Sequence, residues 1–249
     1  MSALSAELIK LKRSLAWSIV VFLPIVLVLA GAATQLAASR RPDNGWHTVW
    51  LQSVGFYGLF PLAIGIAILG SLVWRPEHRG SNWNALMSGP VSSLRIVTAK
   101  AVVVAVLTAI MQLVLLAAVI VIGKAAFGLP GMLPTEYLAV TALLIVATIP
   151  AAALQSALSM FLRSFAAPIA VALVASGIST VALLAVGNAA LVSPYGVATR
   201  AALLGTGSFV DDGTITGGDI AAILISTVIL AGTVVMLSAA ALDRHDTHV

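Results

Sequence analysis

The chain contains no cysteine among its 249 residues, few aromatic residues (6%) and few charged ones (9%). Without cysteine there is no disulfide, no thiolate metal site and no cysteine nucleophile. Ordinary soluble domains devote roughly a quarter of their residues to charge, so so low a share excludes a conventional water-facing surface. The catalytic signatures are missing as well. There is no G-x-x-x-x-G-K-[ST] phosphate loop; the segment around Gly123 and Lys124 lacks the upstream glycine and the following hydroxyl residue. There is no H-E-x-x-H, no G-x-S-x-G and no facing pair of carboxylates inside the apolar segments. The chain is therefore expected not to be an enzyme and to bind no cofactor of its own.

What is present is apolar. Hydrophobic residues make up 60% of the chain and the mean hydropathy is +1.09. A bilayer core demands roughly 20 consecutive apolar residues per helix. Such runs occur at about Ala16–Ala38, Leu51–Trp74, Ala101–Gly123, Leu138–Leu162, Ala167–Asn188 and Ile220–Leu242. The expected fold is all-α: one polytopic membrane domain over 1–249 with six transmembrane helices. Ionisable side chains at mid-depth usually mark ion paths or proton relays, and their absence from these windows argues against an ion-coupled pump.

Basic residues orient the spans. With the N-terminus inside, Lys10, Lys12, Arg13, Arg75, Arg79, Arg95, Lys100, Arg163 and Arg244 fall on one side, and Arg40, Arg41, Lys124 and Arg200 on the other. Short loops rich in Lys and Arg stay in the cytoplasm, which assigns both termini to the cytoplasmic side of a bacterial inner membrane. A pI near 9.9 needs no nucleic acid, since basic residues beside spans attract anionic lipid at about 1 kcal/mol each. Ahead of the first span, Leu4, Leu8, Leu11 and Leu15 recur at helical spacing while Glu7, Lys10, Lys12 and Arg13 occupy other faces. This predicts an interfacial helix over 2–15 lying along the inner leaflet.

Inside the spans, Pro24, Pro61, Pro150 and Pro168 are each expected to free a carbonyl and to bend or interrupt a helix, as a hinge or as static shape. Ala172, Ser176 and Thr180 form a small-residue face for close helix approach, within the chain or across a dimer. Gln112 and Gln155 cost most to leave facing lipid and should turn inward; they line a substrate path or hydrogen-bond neighbouring helices. On the outer side, residues 189–219 carry LVSPYGVATRAALLG, which reads as one or two short helices at the outer leaflet, and then a Gly- and Asp-rich turn. Asp211 with Asp212 lacks the further acids of a calcium loop, and His245 with His248 lacks a third ligand, so no metal is expected.

A long polar interruption that concentrates charge between two spans runs from Arg75 to Lys100, RPEHRGSNWNALMSGPVSSLRIVTAK. Ser81 can cap a short helix with Trp83, Leu86 and Met87 on one side and Asn82 and Asn84 elsewhere, stopped by Gly89 and Pro90. Such an amphipathic helix suits a groove on a cytoplasmic partner or an interfacial place in lipid.

Together with AELIKLKRS leading into a span with Pro24, and with the count of six spans, this loop resembles the ABC-2 type permease superfamily, and more narrowly the permeases of bacteriocin and lantibiotic self-immunity transporters. The resemblance implies that loop 75–100 holds the coupling helix that docks into a separate ABC-type ATPase subunit, which binds the ATP. Glu77, Gly80, Trp83, Leu86, Pro90 and Lys100 match the family pattern, and His78, Arg79 and Asn84 stand among them. It also implies a permease working as a homodimer or with a sister permease, moving an antimicrobial peptide, drug or lipid-like substrate. A membrane assembly factor without transport and a membrane enzyme are the alternatives. The first would bind no ATPase; the second needs a nucleophile or ionisable pair at depth.

Overall fold

The computed structural model describes residues 14–37, 42–79, 91–209 and 211–246, and all regular structure among them is helical. The interfacial segment before Ser14 and the coupling residues Gly80, Trp83, Asn84, Leu86 and Pro90 lie outside the described residues. The helices are α1 (Ala16–Ala37), α2 (Trp46–Trp50), α3 (Phe56–Leu59), α4 (Pro61–Trp74), α5 (Ser93–Ala125), α6 (Thr135–Ala147), α7 (Ile149–Phe161), α8 (Ala166–Val186), α9 (Pro194–Leu203) and α10 (Gly217–Asp246). A π-helical turn, Leu51–Gly55, joins α2 to α3, and a 3-10 turn, Gly187–Val192, follows α8.

Five spans are continuous by length and composition: α1, α5, α6 with α7, α8 with its 3-10 turn, and α10. The sixth is a bent pair, Trp46–Leu59 and Pro61–Trp74, broken by 51°. The second span thus starts at Trp46, earlier than the apolar run from Leu51 that announces it, because His47 and Thr48 dilute its first turn. The break has a local cause: Pro61 has no N–H to donate, and Phe60 leaves helical geometry at φ −125°. The other prolines differ. Pro24 sits inside a helix that runs on to Ala37, and Pro168 falls in the first turn of α8, where a missing N–H costs nothing. Pro150 follows the junction of α6 and α7 at Thr148.

The third span corrects the loop boundary. Helix α5 begins at Ser93, so Arg95 and Lys100 are helical residues and not part of the connecting loop. Charge near the start of the helix had hidden it in the hydropathy pattern. Helices α5 and α7 form the centre of the bundle, packing on each other, on α4 and on α10, with α1 laid along α5. Ala172, Ser176 and Thr180 are buried against the rest of the chain, where α8 meets α4 and α9.

The second correction concerns α9. Tyr195 through Leu203 are all buried, so this helix is inserted among the spans and does not lie on the leaflet. It packs on α3, α6, α7, α8 and α10. Gly58 makes the seat possible: a Cβ there would come within 2.2 Å of the Ala202 Cβ. Beside the same break, the Thr199 hydroxyl donates to the Gly58 carbonyl at 3.0 Å. Gly58→Val is expected to destabilise the purified protein by about 1–3 kcal/mol through overpacking and so to lower its thermal midpoint, with Ala202→Gly recovering part of the loss; an unchanged midpoint would mean that α9 is not held here.

Candidate functional site

The root of loop 75–100 is where the structure brings the sequence-predicted residues together. Trp74, the last residue of α4, sends its indole N–H to the Ser156 hydroxyl of α7 at 2.9 Å. Past it the chain turns, and the Glu77 carboxylate meets Lys100 Nζ at 3.0 Å, with the side chains only 3% and 2% exposed. Lys100 also donates to the Val73 carbonyl at 3.1 Å and stands 4.7 Å above the Trp74 ring. Sequence position alone made Glu77 a contact for a partner; burial turns it inward. A buried ion pair survives only with good geometry and further support, and on the lysine side the Val73 carbonyl and the Trp74 ring face supply it.

His78 adds a third anchor. Its Nε2 lies 2.7 Å from the Ser159 carbonyl, and since a carbonyl only accepts, the imidazole carries its proton on Nε2. Ser71 donates to the Phe165 carbonyl at 3.3 Å. Loop 75–100 is thus tied at its start to α5 and α7 at once. Arg79 is exposed. Trp74, Ser156 and Ser159 escaped the sequence reading, being ordinary span residues until the fold places them under the loop. The Glu77–Lys100 pair left a legible trace, an acid opening the loop and a lysine in the helix that closes it.

Gln112 and Gln155 are both fully buried, so both turn inward, but they do not share one site. Gln155 donates from Nε2 to the Tyr195 hydroxyl, tying α7 to α9. Gln112 lies beside the Tyr57 hydroxyl, yet neither group closes a hydrogen bond of good geometry, and Trp50 Nε1 is likewise unbonded. Buried polar groups left so are costly, and here three of them, Trp50, Tyr57 and Gln112, stand on the second and third spans.

At the opposite end, Arg200 of α9 is 5% exposed. It donates to Asp211 at 2.8 Å, to Asp219 at 3.0 Å and to Asn188 at 3.3 Å. Asp211 accepts further from the Gly207 and Gly213 amides. Asp212 is engaged locally: the Thr214 hydroxyl and amide donate to it and hold its carboxyl below the usual carboxylate range. Trp46, His47, Trp50 and Tyr137 gather at this end, with Trp50 stacked on Tyr137 at 4.7 Å and His47 bonded to the Tyr137 hydroxyl at 2.9 Å; the three larger rings are buried within the chain.

An all-helical bundle with apolar, lipid-facing outer surfaces and a polar loop clamped to three of its helices is a polytopic membrane protein. The family profile described as ABC-2 family transporter protein matches residues 3–179, from the N-terminal segment through most of the fifth span, and the chain belongs to that family. It is thus a membrane-spanning permease component of an ABC transporter. No curated protein and no solved structure matches the chain.

Proposed function

We propose that the chain is the permease subunit of an ATP-driven exporter in which loop 75–100 receives a separate ABC-type ATPase on the cytoplasmic face, with both termini on that side of a bacterial inner membrane. One observation carries the reading: the buried Glu77–Lys100 bridge, which ties the start of the loop, just past the second span, to a lysine two turns inside the helix of the third. A loop serving lipid alone has no need of so costly a clamp, whereas a loop that must transmit force has. ATP is bound by the partner, and this chain supplies loop 75–100, with Gly80, Trp83, Asn84, Leu86 and Pro90 as the residues that meet it. Closure of two ATPase chains then moves the second and third spans of two permeases, either two copies or this chain and a sister. Apolar spans with few polar anchors suit an antimicrobial peptide, drug or lipid-like cargo, the peptide fitting a self-immunity role. Gln112 belongs to the path of that cargo, beside the unbonded Tyr57 and Trp50, while Gln155 holds α9.

The native chain has no cysteine, so an introduced one reports on its own position. With Leu86→Cys, a thiol crosslinker in native membranes is expected to capture a soluble protein carrying a phosphate loop. Val228→Cys, on the exposed face of α10, is expected to capture none. Mild-detergent purification followed by mass spectrometry should recover the same ATPase in near-equal amount. Recovery of the chain alone, in detergent and in nanodiscs, would move the assignment to a membrane assembly factor.

A further inference from the structure

Beside the root of the loop lies a cavity of about 170 Å³, between the start of the loop and the short connection from α7 to α8. Arg75, Arg79 and Arg163 line it together with Ser71, Ser164 and Phe165. All three arginines are exposed. Among the described residues no acidic side chain lines the cavity and no carboxylate bridges to these guanidinium groups. Glu77, the acid of this segment, is turned away onto Lys100. Three like charges around one hollow repel unless an anion lies between them, and a guanidinium presents its N–H fork in the geometry that grips phosphate oxygens in pairs.

The surroundings choose the kind of anion. Phe165, which lines the cavity, is exposed, and Arg75 lies 5.8 Å over its ring. From there α8 leads into the bundle's apolar exterior, with Val171, Val174, Ile178 and Val181 forming an exposed stripe at helical spacing. A charged hollow opening onto an apolar stripe matches a molecule with a phosphate head and acyl chains. Basic pockets between helices on the cytoplasmic side are suited to anionic lipid heads.

We propose that this cavity is the seat of one anionic phospholipid, its phosphate held by Arg75, Arg79 and Arg163 and its chains lying along α8. The inference rests on placing this end of the bundle at the cytoplasmic face, but not on the identity of the ATPase. A lipid seated there touches both the start of the loop and the α7–α8 connection, and so couples the composition of the inner leaflet to the position of the loop.

The test uses the purified full-length chain, exchanged into nanodiscs of phosphatidylcholine with a minor fraction of phosphatidylglycerol, then released and weighed by native mass spectrometry. One phosphatidylglycerol per chain should stay bound, and Arg75→Gln with Arg163→Gln should lower that retention at least ten-fold while the protein still elutes as a single symmetric peak. Arg163→Lys, which keeps charge and loses the fork, should fall between. Retention by the double variant equal to that of the parent would overturn the proposal. So would stabilisation by inorganic phosphate with no lipid retained, which would make the occupant a free anion. Loss of the captured ATPase with lipid retention intact would assign the cavity to the partner protein instead. Because lipid retention is read on the permease alone, failure to find any ATPase leaves this result standing or falling by itself.

Discussion

Glu77→Lys is expected to remove most of the folded permease from the membrane, and adding Lys100→Glu to bring it back. In the parent the two charges meet at 3.0 Å in a setting that leaves both side chains almost fully covered. Reversing one places two ammonium groups against each other beside the Val73 carbonyl and the Trp74 ring. Removing one partner of a buried pair costs about 3–5 kcal/mol, a large part of the roughly 5–15 kcal/mol by which proteins are stable. Fluorescent gel filtration from detergent extracts should show the monodisperse peak lost in the single variant and regained in the double one. Glu77→Gln should be milder, since the shape is kept and the lysine retains its carbonyl and ring. A single variant with the parent's peak and thermal midpoint would show that the bridge does not hold the loop. The double variant then serves a second purpose: with folding restored, crosslinking from Leu86→Cys asks whether the clamp's polarity matters to the partner.

Arg200→Met should have a comparable effect at the other end of the bundle. Asp211 and Asp219 both lean on this one guanidinium, and its loss leaves Asp211 buried with only two glycine amides for partners. The expected cost is about 3–5 kcal/mol, read as a lower thermal midpoint and as faster proteolysis between Gly205 and Gly217. Replacing a buried ionic cluster by neutral groups of similar size is often harmless, so Arg200→Met with Asp211→Asn and Asp219→Asn should recover much of the loss. If the triple variant is no better than the single one, the stabilisation comes from the shape of the arginine and not from its charge.

How much of this could be read from the residues depends on whether the partners are near in sequence. Span number and the all-α class followed from apolar runs, since backbone groups in lipid must be satisfied within a helix. The proline at 61 announced a break that the structure shows. The start of the second span did not announce itself, because a turn containing His47 and Thr48 looks like loop until Tyr137 stacks on Trp50 and bonds His47. Helix α9 was legible as a helix and not as a buried one. An arginine in an otherwise apolar decamer reads as interfacial, and the acids that permit its burial stand 11 and 19 residues further on. The same distance problem hid Tyr195, 40 residues from Gln155. Inward placement of both glutamines was foreseeable from cost alone, whereas their separation into a bonded and an unbonded one needed the fold.

The burial of α9 also bears on how the chain is made. Its seat is built from the second, fourth, fifth and sixth spans, yet the ribosome delivers it before the sixth has emerged. Until Asp219 arrives at the head of α10, Arg200 has only one of its two carboxylates within reach. The nascent permease must therefore keep a half-neutralised arginine helix at the membrane surface, and the last span to be inserted is also the one that locks it in. Synthesis and closure of this end of the bundle become a single final event, so a chain cut short before its sixth span is open to the quality-control proteases that survey the membrane.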